Sequence, residues 1–166
     1  MARGFEPVLK VSQKVEYGMR AMIELAMRRE RDGDVLVPAR AIAESQRIPV
    51  RFLEQQLGAL HKAGLVESFR GAGGGCRLSR APQDIYVANI VDALEGPLYP
   101  MGCLSAEDHS CFADAQCGLQ ELWGDVQIAI RQVFERMTLE DMVTKHRKLT
   151  ARPLFAPSDL LARPHV

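Results

Sequence analysis

No apolar run in this 166-residue chain approaches the roughly 18 residues needed to span a bilayer. Its opening residues, MARGFEPVLKVSQK, lack the apolar stretch of a secretory signal, so the chain reads as cytoplasmic and without membrane contact. Net charge is missing as well: 21 Lys and Arg offset 21 Asp and Glu, a balance that by itself argues against a nucleic-acid binder. No nucleophile, base and orienting acid can be assembled from spacing, and His61, His146 and His165 read as surface or tail residues, so no enzyme is expected. The run Gly71-Ala72-Gly73-Gly74-Gly75 lacks the Gly-Lys-Ser/Thr ending of a phosphate-binding loop. No internal repeat is present. There are only 4 cysteines, and the clustering of three suits metal or redox chemistry better than a disulfide framework.

What is present supports a real core: 47% hydrophobic and 25% charged residues are ordinary globular values. The length fits one compact domain, or a small domain with an accessory helical region. The zero net charge conceals two unlike halves. Residues 1–80 hold 14 Lys and Arg against 9 Asp and Glu, whereas residues 81–166 hold 7 against 12, with no Lys or Arg from Ala81 through Ile130. The first half can attract phosphate, and the second, which contains the cysteine cluster, repels it.

Apolar spacing at Val15, Met19, Met22, Ile23 and Ala26 predicts a first helix over Ser12 to Arg29, with Ser12 as N-cap. A turn at Arg31-Asp32-Gly33-Asp34 leads to a short helix beginning at Pro38 and ending near Ser45. Pro49 opens another helix with the stripe Val50, Leu53, Leu57 and Leu60, stopped at Gly64. This is a helix-turn-helix pattern. Two strand-like runs, 65–70 and 76–79, flank the glycine tip and predict a hairpin, hence a winged helix. A helix from about Asp84 to Glu95 is followed by a loop carrying cysteines. Leu119, Leu122, Trp123, Val126, Ile130, Val133, Phe134 and Met137 then predict a long helix with more apolar surface than a small DNA-binding domain needs, read as a dimerisation helix. A short helix over Leu139 to Lys145 follows, and prolines 153, 157 and 164 predict an irregular tail. The expected organisation is a DNA-binding domain over 9–96, a cysteine loop over 97–118, a dimerisation region over 119–146 and a tail over 147–166. The fold class is mainly α with a small β-hairpin wing.

In a winged helix the second helix of the motif enters the major groove and presents its N-terminal turn. Here that turn offers Pro49, Val50, Arg51, Glu54 and Gln55, of which Arg51 can bond guanine and Gln55 adenine. Arg70 and Arg77 flank the wing tip with Gly71 and Gly73, where a guanidinium can enter a minor groove or meet phosphate. Cys103, Cys111 and Cys117 are spaced C-x7-C-x5-C, and three converging thiolates suit iron–sulfur or zinc. The fourth ligand is open among His109, Asp108, Asp114, Gln120 and a residue from elsewhere. Cys76, in a wing strand, reads as a packing residue or an incidental thiol.

Several motifs together resemble one family. Leu9-Lys10-Val11-Ser12 with Glu16-Tyr17-Gly18-Met19-Arg20-Ala21-Met22, Phe52-Leu53-Glu54-Gln55, Gly64-Leu65-Val66, Arg70 through Gly75, the three cysteines and Leu122-Trp123 resemble the winged-helix regulators typified by IscR, NsrR and RirA, the Rrf-two family. Cys76 departs from the aromatic or aliphatic residue usual after the glycines. The resemblance implies a homodimeric transcription factor, repressor or activator, binding a double-stranded DNA operator, with affinity controlled by an iron–sulfur cluster that senses iron, nitric oxide or redox state. It implies Cys103, Cys111 and Cys117 as ligands, and favours a 4Fe–4S over a 2Fe–2S centre. In IscR-like members a histidine three residues beyond the last cysteine completes the set, but Gln120 stands there. In NsrR-like members a partner-subunit carboxylate near the start of the first helix does so, which matches Glu16. A regulator of the same fold using thiol oxidation or zinc is the alternative, with a small electron carrier behind it.

Overall fold

A computed structural model of the chain describes residues 11–100, Leu104 and 117–150. Helix α1 (Gln13–Asp32) starts where expected: the Ser12 side chain accepts the Val15 N–H at 3.3 Å, and Gly33, at φ 82°, ends the helix. Its Gly18 packs against Leu94 of α4 (Val87–Glu95), whose side chain would have to shift to admit a Cβ there. Removing that methyl lets the two helices approach closely.

Helices α2 (Ala39–Gln46) and α3 (Val50–Lys62) form the helix-turn-helix. Pro38 and Pro49 stand just before these helices, at their N-cap positions, where a missing backbone donor costs nothing. The turn between them depends on Arg47 in the left-handed region (φ 53°, ψ 45°), with Ile48 N–H bonded back to the Ala43 carbonyl at 2.9 Å. Glycine is the usual occupant of such a cap, so an arginine stores strain of about 1 kcal/mol. Leu53, Leu57 and Leu60 are buried as the stripe predicts, but Val50 is exposed and Gln56 is buried instead. Gln56 lies beside Leu53 and Leu60 on the helix wheel, whereas Val50 shares the face of Leu57 but is the first residue of the helix and stays exposed at its entrance.

Strands β1 (Val66–Phe69) and β2 (Gly75–Leu78) pair antiparallel in the register Val66↔Leu78, Glu67↔Arg77, Ser68↔Cys76 and Phe69↔Gly75. Val66, Cys76 and Leu78 face the core, and Cys76 also bridges Val37, so the wing is stitched to the segment before α2. Gly75 permits this, because a Cβ there would meet the Val37 carbonyl at 2.7 Å. The helix expected from Asp84 starts later: Pro82–Asp84 form a single 3-10 turn, and α4 begins at Val87.

The region 119–146 divides in two. Helix α5 (Gly118–Arg136) has no buried residue, whereas α6 (Leu139–Thr150) buries Leu139 and Val143 against the core that α1 helps to build. Backbone bonds from Val87 N–H to Met137 O and from Leu139 N–H to Ile85 O, both 2.8 Å, return the chain to that core after α5. Residues 147–150, expected in the tail, continue α6, and Arg147 pairs with Glu30 of α1. Among the described residues no helix is long and apolar enough to cross a membrane.

Candidate nucleic-acid interface and cysteine loop

The apolar face of α3 is spent on the core, which leaves the opposite face to solvent. Arg51, Glu54 and Gln55 are all exposed there, and Pro49 is exposed at the entrance. Two apolar side chains join them, Val50, which the sequence places on that turn, and Phe52, which the pattern does not single out as an interface residue. Val50 and Phe52 are 37% and 38% exposed on the first turn, and Phe52 meets Tyr17 of α1 edge-on, with ring centroids 5.8 Å apart. Half-exposed apolar groups beside hydrogen-bonding ones suit a base edge carrying a thymine methyl.

Between α3 and the wing runs a groove of about 640 Å³, lined by Arg40, Glu54, Gly58, His61, Phe69 and Arg70. His61 Nδ1 lies 2.9 Å from the Val66 carbonyl, which ties the end of α3 to β1 beside the groove. Arg70, Gly71 and Gly73 are exposed at its rim, and Gly71 and Gly73 have φ values of 103° and 85° that side-chain-bearing residues rarely adopt. Among the described residues neither Arg51 nor Arg70 enters an ion pair, so both charges are available to a phosphate or a base. Arg77 differs. Expected at the DNA with Arg70, it instead bonds Glu67 Oε2 at 2.8 Å and lies 3.4 Å from Asp34 Oδ2. Two neighbouring carboxylates already compensate its charge, and nothing in the spacing of Asp34, Glu67 and Arg77 revealed this.

Behind the motif, Glu24 is almost fully buried. Burial pushes its carboxyl pKa up, but hydrogen bonds with Arg28, Ser45 and Gln46 outweigh that and hold it below the ordinary value. Gln46 donates to Glu24 at 3.0 Å, and its backbone carbonyl accepts from Arg20, so the end of α2 is fastened to α1. Arg20 also faces Glu16, 3.4 Å away and 55% exposed. Cys76 is buried as expected, and burial alone raises its thiol pKa to about 11.

Of the expected cluster ligands, Cys117 and Glu16 are described; Cys103 and Cys111, with Asp108, His109 and Asp114, lie outside the described residues. Cys117 is half-buried at the N-cap of α5, and its side chain makes no capping bond there. Gln120 lies in the first turn of that helix and is exposed. Among the described residues no three His, Cys, Asp or Glu side chains converge as a metal site. The donor chemistry still fits the group: three thiolates and one hard carboxylate can hold iron, and the thiol at the head of a 19-residue helix lies where an anion is favoured.

Comparison with known proteins agrees with this architecture. The model of the Rrf2 family, described as an iron-dependent transcriptional regulator, matches residues 11–145. CymR of Bacillus subtilis is 35% identical over 136 residues, covering 82% of this chain and 91% of that protein. Its solved structure, described as that of the global cysteine regulator of B. subtilis, superposes with a TM-score of 0.68 over 82% of this chain and 98% of that one. NsrR of B. subtilis is 32% identical, covering 81% of this chain and 90% of that protein. The structure of T. potens IscR superposes with a TM-score of 0.69 at 34% identity, over 88% of this chain and 94% of that one. With a helix-turn-helix, a wing and this match along most of its length, the chain belongs to the Rrf2 family of DNA-binding transcriptional regulators, which are not enzymes.

Proposed function

We propose that the chain acts as a homodimer joined through α5, that it reads operator DNA with α3 and the wing, and that an iron–sulfur cluster on Cys103, Cys111, Cys117 and Glu16 of the partner subunit sets its affinity. The observation that carries the reading is α5 itself. It is 19 residues long with no buried residue, and Leu119, Leu122, Ile128 and Val133 are each more than 40% exposed. An apolar surface of that length is a liability unless a second copy covers it. The same helix supports the shared site. Val15 of α1 and Ile130 of α5 line one cavity, and Ile130 is roughly 20 Å along the helix from Cys117 at 1.5 Å per residue. The start of α1 therefore lies far from its own chain's Cys117, and an antiparallel pairing of α5 helices would carry it toward the partner's.

The base contacts follow from side-chain chemistry. Arg51 donates two hydrogen bonds to guanine, Gln55 bonds adenine, and Glu54 accepts from a cytosine amino group. Arg70 reaches the minor groove or a phosphate while Gly71 and Gly73 let the tip approach closely. When bound, the cluster supplies a crosslink between subunits that iron supply, nitric oxide or redox state can alter. Glu16 faces Arg20, and Arg20 bonds the last residue of α2, so displacement of Glu16 is relayed to the turn that aims α3. Recognition helices at the wrong spacing lose affinity at both half-sites. A carboxylate ligand is also the exchangeable one beside three thiolates.

The likeness to CymR favours a second reading, the same dimer without a cluster, responding through its thiols. A spectrum of anaerobically purified protein with iron and sulfide analysis separates the two. Broad visible absorption that is lost in Cys103→Ala, Cys111→Ala and Cys117→Ala, with a labile centre in Glu16→Ala, supports the cluster. Colourless protein with full operator affinity supports the second reading. A Glu16→Ala centre as durable as wild type beside a failing His109→Ala returns the fourth ligand to the loop.

A further inference from the structure

We infer that Asp34, Glu67 and Arg77 form a clamp that fixes where the wing meets DNA, and that Arg77 is a positioning residue for Arg70 rather than a DNA contact. The inference rests on the DNA-binding role of the wing proposed above. Glu67 and Arg77 are directly opposed in the hairpin register, and their side chains meet at 2.8 Å. Such a cross-strand pair locks two strands on one face. The same guanidinium reaches Asp34, in the turn after α1, at 3.4 Å, and lies over the Phe69 ring, 5.5 Å from its centroid. Asp34 is held in turn by Arg29 of α1 at 3.5 Å, and Arg29 also bonds the Arg80 carbonyl at 2.6 Å. At the preceding residue of the same strand, Val37 and Cys76 exchange backbone hydrogen bonds of 2.9 Å.

The root of the wing is thus fastened to the 34–37 segment through both side chain and backbone, and everything beyond Phe69↔Gly75 depends on it. Arg70 is the first residue past that last pair, followed by the glycine-rich tip. A tip so rich in glycine samples many directions on its own. The apparent affinity of a contact falls with the fraction of time its side chain is correctly placed. Fastening the root raises that fraction. The three clamp side chains are between 34% and 48% exposed, so their pairs add little to global stability. Their effect is expected in binding rather than in unfolding.

The test measures operator affinity across a salt series, with thermal unfolding alongside, for Asp34→Asn, Glu67→Gln, Arg77→Met, Arg77→Lys and Arg70→Met. Arg70→Met should lose on the order of tenfold in affinity and lower the salt slope by about one. Arg77→Met and Asp34→Asn should each weaken binding several-fold with unchanged unfolding temperature, and Arg77→Lys should recover part of the loss. In the Arg70→Met background, Arg77→Met should add nothing. Asp34→Asn is decisive, because removing a negative charge and releasing Arg77 should tighten DNA binding on electrostatic grounds alone. Unchanged or tighter binding by Asp34→Asn overturns the clamp, as does a further drop of about one in salt slope when Arg77→Met is added to Arg70→Met. If Arg70→Met binds like wild type, the wing is not at the DNA, and the underlying reading falls together with the clamp.

Discussion

Helices α5 and α6 adjoin in sequence and carry similar apolar periodicity, yet they are used in opposite ways. α5 is the longer and has no buried residue, whereas α6 contributes Leu139 and Val143 to the one core cluster that also holds Met22, Ile85 and Ile90. The contrast teaches that an amphipathic stripe specifies a buried face without specifying whose core it enters. Here Thr138 draws the line. Its backbone N–H and hydroxyl bond the Asp141 carboxylate at 2.9 Å, starting α6, and its β-bridge with Tyr86 turns the chain back to the domain.

The largest effect should come from charging the surface that α5 leaves open. Leu122→Glu is the sharpest probe, because Leu122 is 55% exposed whereas Ile130 also lines cavities against α1 and α4. The expected result is a folded monomer by light scattering with greatly reduced operator affinity; an intact dimer removes α5 from the interface. Leu139→Ala should do the reverse, costing about 2–5 kcal/mol in denaturant unfolding while leaving the folded protein dimeric. If it shifts stoichiometry instead, α6 belongs to the interface and the contrast fails.

A smaller effect follows from Cys76, which reports on the core alone. Its thiol pKa is raised from 9.0 to about 11 by burial, so the folded state holds this proton more tightly than the unfolded chain does. That contribution is complete below pH 9 and fades as pH rises toward about 11. Unfolding measured across that window should show a decline that Cys76→Val reduces, and Cys76 should resist alkylation in the native protein at neutral pH. The smallest effect belongs to Arg131, which joins α5 to Asp92 of α4 at 2.6 Å and to Glu135 at 2.7 Å. These pairs are about half exposed, so Arg131→Met should cost less than about 1 kcal/mol and leave the dimer intact. A larger loss would mean that α5 is held by its own domain as firmly as α6 is.

Local patterns made much of the fold legible. Ser12 before an apolar 3-4 repeat, proline just ahead of α2 and α3, and glycines where Gly33, Gly71 and Gly73 take positive φ each carry their own backbone instruction. They located the helix-turn-helix and the wing, and with them Arg51, Gln55 and Arg70 at exposed positions. The misreadings arose where neighbours distant in the chain decide. Val50 is exposed although it shares a helix face with Leu57, because of how the entrance of α3 seats on the core, and no one-residue property encodes that seating.

The sequence by itself determined the element types, the winged helix-turn-helix, the charge division and the cysteine spacing, because these depend on residues within a few turns of one another. Only the tertiary structure decided that α6 enters the core while α5 buries none of its residues there, and that Arg77 is claimed by Asp34 and Glu67 while Arg70 is not. Those outcomes depend on distances between residues such as 34 and 77, set when α1, the wing and the segment before α2 pack together. Charge and hydrophobicity state what a side chain will seek; which partner it finds is settled by the packing that brings partners within reach.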